Sequence, residues 1–230
     1  MNIINTDSIG YQYPDGTVAL HNISLTVSEN QKVAIIGHNG SGKSTLLLLL
    51  SALLLPTSGT ITIFDMQLTA RNKSQVRKSI GIVFSQVEYQ FIMPDLLNDV
   101  ILSIREGSQE EKKSQALQWL KKVNMDDMLN HSPLALSSGQ MKRAALVSVL
   151  AKNPKILLLD EPLANLDKPS ADAVIHILSD LNMPMIFATH SAYAVQHLAN
   201  RLIVLEHGTI AYDGVCNSKI LEKHKKTILL

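Results

Sequence analysis

Residues 37–44 read Gly-His-Asn-Gly-Ser-Gly-Lys-Ser, between the apolar run 32–36 and a leucine-rich stretch opening at Leu46. No other feature of the chain limits its fold as tightly. The G-x-x-x-x-G-K-[ST] spacing turns the backbone at Gly37, Gly40 and Gly42 so that N–H groups converge on phosphate oxygens. Lys43 can then reach the β- and γ-phosphates and Ser44 can hold Mg²⁺. The preceding run has the length of a buried strand. The following run reads as a helix, whose N-terminus would direct its dipole at the anion. Strand, loop and helix in that order predict a nucleotide site at the edge of an α/β sheet, with His38, Asn39, Ser41 and Thr45 completing the loop and the first helical turn.

Strand-length apolar runs at 32–36, 60–64, 80–84, 155–160, 184–189 and 202–207 alternate with longer helical patterns, which predicts an α/β fold with a largely parallel sheet. Three of these runs end in polar residues: Ser85-Gln86, Asp160-Glu161 and Thr189-His190. In an open α/β sheet, ligands sit at the carboxyl ends of the strands, so these side chains should reach the edge that carries the loop. Residues 11–27 alternate apolar and polar around Pro14-Asp15-Gly16, predicting an antiparallel hairpin. Between 90 and 153 the strand signal vanishes, and helical patterns at 110–123 and 140–152 take over. The expected organisation is a nucleotide-binding core from 1–86 and 154–230, with an inserted helical subdomain over 87–153.

Composition narrows the function classes. Lys and Arg number 21 against 20 Asp and Glu, a net charge of +1, so nothing calls for a nucleic-acid partner. The basic tail 219–226 reads as a solvated C-terminal helix. The single cysteine, Cys216, allows no internal disulfide and fits a reducing compartment. The first ten residues lack the basic start and apolar centre of a secretory signal. The longest apolar stretch, 46–55, is about half of the ~20 residues a membrane span needs.

Two further segments carry chemistry. In Lys155-Ile156-Leu157-Leu158-Leu159-Asp160-Glu161 an apolar strand delivers adjacent carboxylates, which alternation along a strand turns to different tasks. Asp160 is placed to bind Mg²⁺ through its shell, and Glu161 to act as general base on a water in line with the γ-phosphate. Alone, the pair would read as a solvated strand end with an N-cap acid. Leu136-Ser137-Ser138-Gly139-Gln140 opens a helical run and reads either as an ordinary N-cap or as a second anion site.

Taken together, the chain resembles an ATP-binding-cassette ATPase over essentially its whole length. GHNGSGKST is similar to that family's first nucleotide motif and LLLDEP to its second. LSSGQ departs from the signature LSGGQ by Ser138 for Gly, Ala164-Asn165-Leu166-Asp167 resembles the D-loop, and Ala188-Thr189-His190 resembles the switch-histidine segment. The resemblance implies a P-loop NTPase core with an N-terminal antiparallel β layer, ATP and Mg²⁺ as ligands, and a head-to-tail pair of cassettes, identical or paralogous. Ser137, Ser138, Gly139 and Gln140 of one subunit would close on the γ-phosphate held by the other. His190 would contact that phosphate, and Asp167 would connect the two sites. Tyr13, or alternatively Tyr11, stands where the family places an aromatic against adenine. The family commonly has V-F-Q-N-P where this chain reads Val83-Phe84-Ser85-Gln86-Val87, so strict register puts Ser85 at the metal-binding glutamine, and Gln86 serves only if the strand end adjusts.

The segment 86–105, with Gln90, Phe91 and the acid Asp99 before Val100, is similar to that of energy-coupling-factor ATPases, which energise uptake of cobalt, nickel or vitamins through separate membrane subunits. This implies a peripheral ATPase at the cytoplasmic face of the membrane, docked to integral subunits through residues such as Phe91, Ile92, Met93 and Leu96. A soluble cassette ATPase of repair, translation or cofactor assembly, and a nucleotide-sensing adaptor without turnover, are the other readings.

Overall fold

The computed structural model describes residues 1–224. A six-stranded sheet carries β10 (Thr209–Val215), β9 (Arg201–Glu206), β3 (Lys32–Ile36), β8 (Met185–Ala188), β7 (Ile156–Asp160) and β6 (Ile80–Val83) in that spatial order. All neighbours in it are parallel except the β9–β10 pair, a hairpin on one edge. A second, antiparallel sheet holds β2 (Val18–Ser28), β1 (Asn2–Gln12), β4 (Ser58–Ile63) and β5 (Met66–Gln67).

The hairpin expected at 11–27 is therefore longer than its alternation suggested, because β1 begins at Asn2 and is broken by bulges that blur the period. The run at 60–64 does not join the parallel sheet. It pairs antiparallel with β1, and its outward Thr60 and Thr62 alternate with buried Ile61 and Ile63, the pattern of a one-sided sheet.

Helix α1 (Lys43–Leu50) lies between the two sheets. Leu46, Leu47, Leu49 and Leu50 are at most 1 % exposed, each burial contributing about 1.5–3 kcal/mol against a backbone-ordering cost of about 1–2 kcal/mol per residue. An eight-residue helix would not persist alone, so this one is held by packing on all sides. The parallel strands have two buried faces for the same reason. Val33, Ile35, Ile156 and Leu158 face α1, while Ala34, Ile36, Leu157 and Leu159 face helices on the other side. Those helices are α5 (Ser138–Leu150), α6 (Lys168–Ser179) and α7 (Ala192–Leu198).

Residues 84–155 contain no strand. After the short α2 (Lys73–Arg77) and β6, helices α3 (Leu96–Ser103) and α4 (Gln109–Lys122) pack with α5 around Leu96, Val100, Leu120 and Val147, a core of their own. Helix α5 belongs to both cores: Ala144 and Val147 face α3 and α4, and Ala145, Leu146 and Val149 face the parallel sheet. A last helix, α8 (Ser218–Lys223), takes in part of the basic tail, and residues beyond 224 lie outside those described.

Candidate nucleotide site

The chain between β3 and α1 must turn sharply and expose its amides, which explains Gly42. It caps α1 at φ 101°, and a Cβ there would meet Leu20 Cδ2 at 2.6 Å and the Ala19 carbonyl at 2.7 Å. The loop opens on a cavity of about 770 Å³, within the size range of small-molecule sites. Its wall comes from four places. Asn39 to Thr45 form the loop side, Tyr13 with Thr17 to Ala19 the β1–β2 turn, and Ser85, Asp160, Glu161 and His190 the carboxyl ends of β6, β7 and β8. Leu163 to Asn165 complete it.

Lys43 folds back on its own loop, donating from Nζ to the carbonyls of Gly37 at 2.7 Å and His38 at 3.1 Å. Burial pulls its pKa down, opposed by the charges of Glu161 and Asp160. Asp160 shows the converse: burial raises its carboxyl, against a hydrogen bond from Ser44 and the charges of Lys43 and Lys142. The Ser44 hydroxyl and Asp160 carboxylate, both on the cavity wall, are hard oxygen donors of the kind magnesium takes, usually with one or two carboxylates and the rest from water and phosphate. The residues therefore fit that ion.

Glu161 sits at φ 48°, a left-handed conformation that costs an L-residue about 1–2 kcal/mol. Its surroundings over-determine it. Its N–H donates to Ala188 O at 2.9 Å, its Oε2 accepts from Thr189 Oγ1 and from the His190 N–H, each at 3.3 Å, and its carbonyl accepts from the Ala164 N–H at 3.2 Å. Oε1 is buried without a hydrogen-bond partner and lies 3.7 Å from His190 Nε2. Burial raises this carboxyl also, with the His190 N–H and ring opposing. A strained, desolvated carboxylate with one free oxygen at the mouth of a phosphate loop can accept a proton from water.

Tyr13 lines the cavity, its hydroxyl 3.0 Å from Thr45 Oγ1, while Tyr11 stands edge-on to it at 4.9 Å and packs against the first core. Ser85 lines the cavity and Gln86 does not. The chain leaves β6 at Val83, and beyond the strand Gln86 occupies the N-cap of the single helical turn 87–90. Gly37 and His38 are not on the wall, and their carbonyls hold the Lys43 ammonium.

Ser137, Ser138, Gly139, Gln140 and Asp167 are outside the wall. Ser137 and Gln140 form a capping box at the start of α5, with bonds of 2.9 and 3.3 Å. Asp167 caps α6 by accepting from the Ser170 N–H at 3.1 Å, and the Ser170 hydroxyl together with that N–H holds its carboxyl below the ordinary value. The Ser138 hydroxyl donates to Asn165 O at 3.3 Å, linking the start of α5 to a residue of the wall.

Sequence reasoning passed over Lys142. It is 3 % exposed, and its Nζ donates to Ser85 O at 3.2 Å and Glu161 O at 3.3 Å. The signal was present: Lys142 shares a helical stripe with buried Ala145 and Val149, and a cation in an apolar stripe requires a buried acceptor. Asp99 is likewise buried, its oxygens accepting from Ser148 Oγ at 2.9 Å and from the N–H groups of Ile92 and Met93 at 2.8 and 3.2 Å.

A parallel sheet with a phosphate loop at its carboxyl edge, after β3, and an acid pair ending β7, one strand beyond its neighbour β8, defines a P-loop nucleoside triphosphatase. More narrowly, the chain belongs to the ABC transporter family, whose pattern matches residues 20–164. It is an ATPase of the energy-coupling-factor kind. It is 36 % identical over 228 residues to the energy-coupling factor transporter ATP-binding protein EcfA of Methanosphaera stadtmanae, covering 96 % of this chain and 82 % of that one. Among solved structures it is similar to cbiO1 of Clostridium perfringens, described as part of the ABC transporter complex cbiONQ, with a TM-score of 0.84, 28 % identity and coverage of 98 % and 95 %. It is equally similar to the cassette MJ0796, solved as a post-hydrolysis dimer bound to ADP and phosphate, with a TM-score of 0.84, 29 % identity and coverage of 94 % and 100 %.

Proposed function

We propose that this chain is the ATP-hydrolysing cassette of an energy-coupling-factor importer for cobalt, nickel or a vitamin, held at the cytoplasmic face of the membrane by integral subunits. The supporting observation is the split of its two anion-binding helix starts. Helix α1 opens on the cavity, whereas the capped start of α5 lies outside it and is free to meet a nucleotide held by a second cassette. The names of the relatives favour the importer reading, and no helix among the described residues is long and apolar enough to cross a membrane, so transport requires a membrane partner.

In this reading Lys43 exchanges its loop carbonyls for the β- and γ-phosphate oxygens, and Tyr13 leaves Thr45 to stack on adenine. Ser44 and Asp160 hold magnesium, which when bound supplies charge neutralisation on the phosphates. Glu161 takes the proton of the attacking water on its carboxylate, while His190 contacts the γ-phosphate and its N–H fixes the glutamate. Ser137 and Gly139 of the second cassette close over the same phosphate, and Asp167 connects the paired sites. ATP binding closes the pair and phosphate loss reopens it. Purification of the tagged chain from detergent-solubilised membranes tests the assignment. Integral subunits should co-purify with it, and recovery of soluble partners alone would sink the importer reading.

A further inference from the structure

Lys142 joins two pieces of the site through a helix that itself lies outside the cavity. It stands one turn into α5, and its ammonium binds the carbonyl at the end of β6 and the carbonyl of Glu161 at the end of β7. The burial of that cation depresses its pKa against the opposing charges of Asp160, Glu161 and Glu88. A methionine of similar length would fill the same space without the desolvation, so what the cation adds is the clasp on two carbonyls.

The clasp falls where the backbone needs it. Glu161 is held in the left-handed region, and its carbonyl oxygen accepts from Lys142 as well as from the Ala164 N–H. Rotating that peptide would swing the carboxylate off Thr189 and His190. The other carbonyl belongs to Ser85, a residue of the cavity wall. Since α5 also packs with α3 and α4, any shift of that helical layer against the sheet pulls on both carbonyls at once.

We propose that Lys142 is a positioning residue for hydrolysis, making the orientation of Glu161 depend on the seat of α5 against the β6 and β7 ends. This rests on the reading of Glu161 as the general base. The lysine does not line the cavity. Its removal should therefore lower turnover while leaving ATP affinity in place, as a small misplacement of a catalytic group does.

The test compares wild type, Lys142→Met, Lys142→Arg and Glu161→Gln in the assembled ATPase, with kcat and KM for ATP, binding of a fluorescent ATP analogue, and melting temperature. Lys142→Met should lose about ten- to hundredfold in kcat with KM and analogue affinity within about threefold. Lys142→Arg, which can still reach two carbonyls, should recover most of the loss. The proposal is overturned if Lys142→Met keeps kcat, if affinity falls along with it, or if Lys142→Arg fails to rescue a protein that melts normally. Glu161→Gln separates the premise from the inference: an active Glu161→Gln enzyme refutes the general-base reading itself, whatever Lys142 does.

Discussion

Gly139 is the tightest point of the signature helix, and its replacement by alanine has a calculable consequence. A Cβ there would lie 2.6 Å from Ser170 Cβ and closer still to Ser170 Oγ, so α5 and α6 would have to separate. Forcing a methyl into a packed contact costs about 1–3 kcal/mol, and exchanging glycine for alanine in a helix returns up to about 1 kcal/mol. A net loss of about 1–2 kcal/mol remains. For a chain of this length that lowers the melting temperature by roughly 3–6 °C. Because the α5 start moves with it, turnover should fall by about tenfold or more. The decisive assay is urea denaturation in a double-mutant cycle with Ser170→Gly, which removes both offending atoms. In that background Gly139→Ala should become neutral or stabilising, since only the helix-propensity gain is left. An equal cost in both backgrounds, or none in wild type, would refute the packing argument.

Burial raises the Glu161 carboxyl, so the folded state binds that proton more tightly than the unfolded chain and the charged form costs stability at neutral pH. Glu161→Gln should therefore melt higher than wild type at pH 7. That gain should shrink as pH falls through the raised carboxyl value, where wild type becomes neutral too; a gain independent of pH would contradict it. Asp99→Ala strands the Ser148 hydroxyl and two N–H groups and should cost about 2–4 kcal/mol in urea denaturation, with wild-type stability as the contrary result. Because Ser85 and not Gln86 lines the cavity, Gln86→Ala should keep Mg²⁺-dependent ATPase activity within about twofold. Loss of activity would restore Gln86 as a metal ligand.

The local rules made the phosphate loop and the buried strands legible. Gly37, Gly40 and Gly42 between an apolar strand and a leucine run permit few folds, and Ile156 to Leu159 require two covered faces. Less was legible where the outcome depends on pairing. The alternation of Thr60 and Thr62 with Ile61 and Ile63 marks β4 as a one-sided strand, but its antiparallel partner β1, about fifty residues earlier in the chain, is not written in that alternation. Which of Ser85 and Gln86 faces the cavity was not legible from strand alternation, because both lie beyond the end of β6 at Val83. The left-handed turn at Glu161 and the clasp by Lys142 rest on contacts between residues 19 to 29 positions apart, beyond the reach of any helical or strand period.

The composite site of two cassettes is tested most directly by phosphate release from the membrane-purified assembly carrying Ser138→Glu. Ser138 is exposed at the first position of α5, where an acid favours the helix dipole by about 0.3–1 kcal/mol, offsetting the lost hydrogen bond to Asn165 O, so the fold should be kept. The same charge would face the γ-phosphate held by the second cassette, and turnover should fall at least about tenfold. Wild-type phosphate release with the glutamate in place would contradict the composite site.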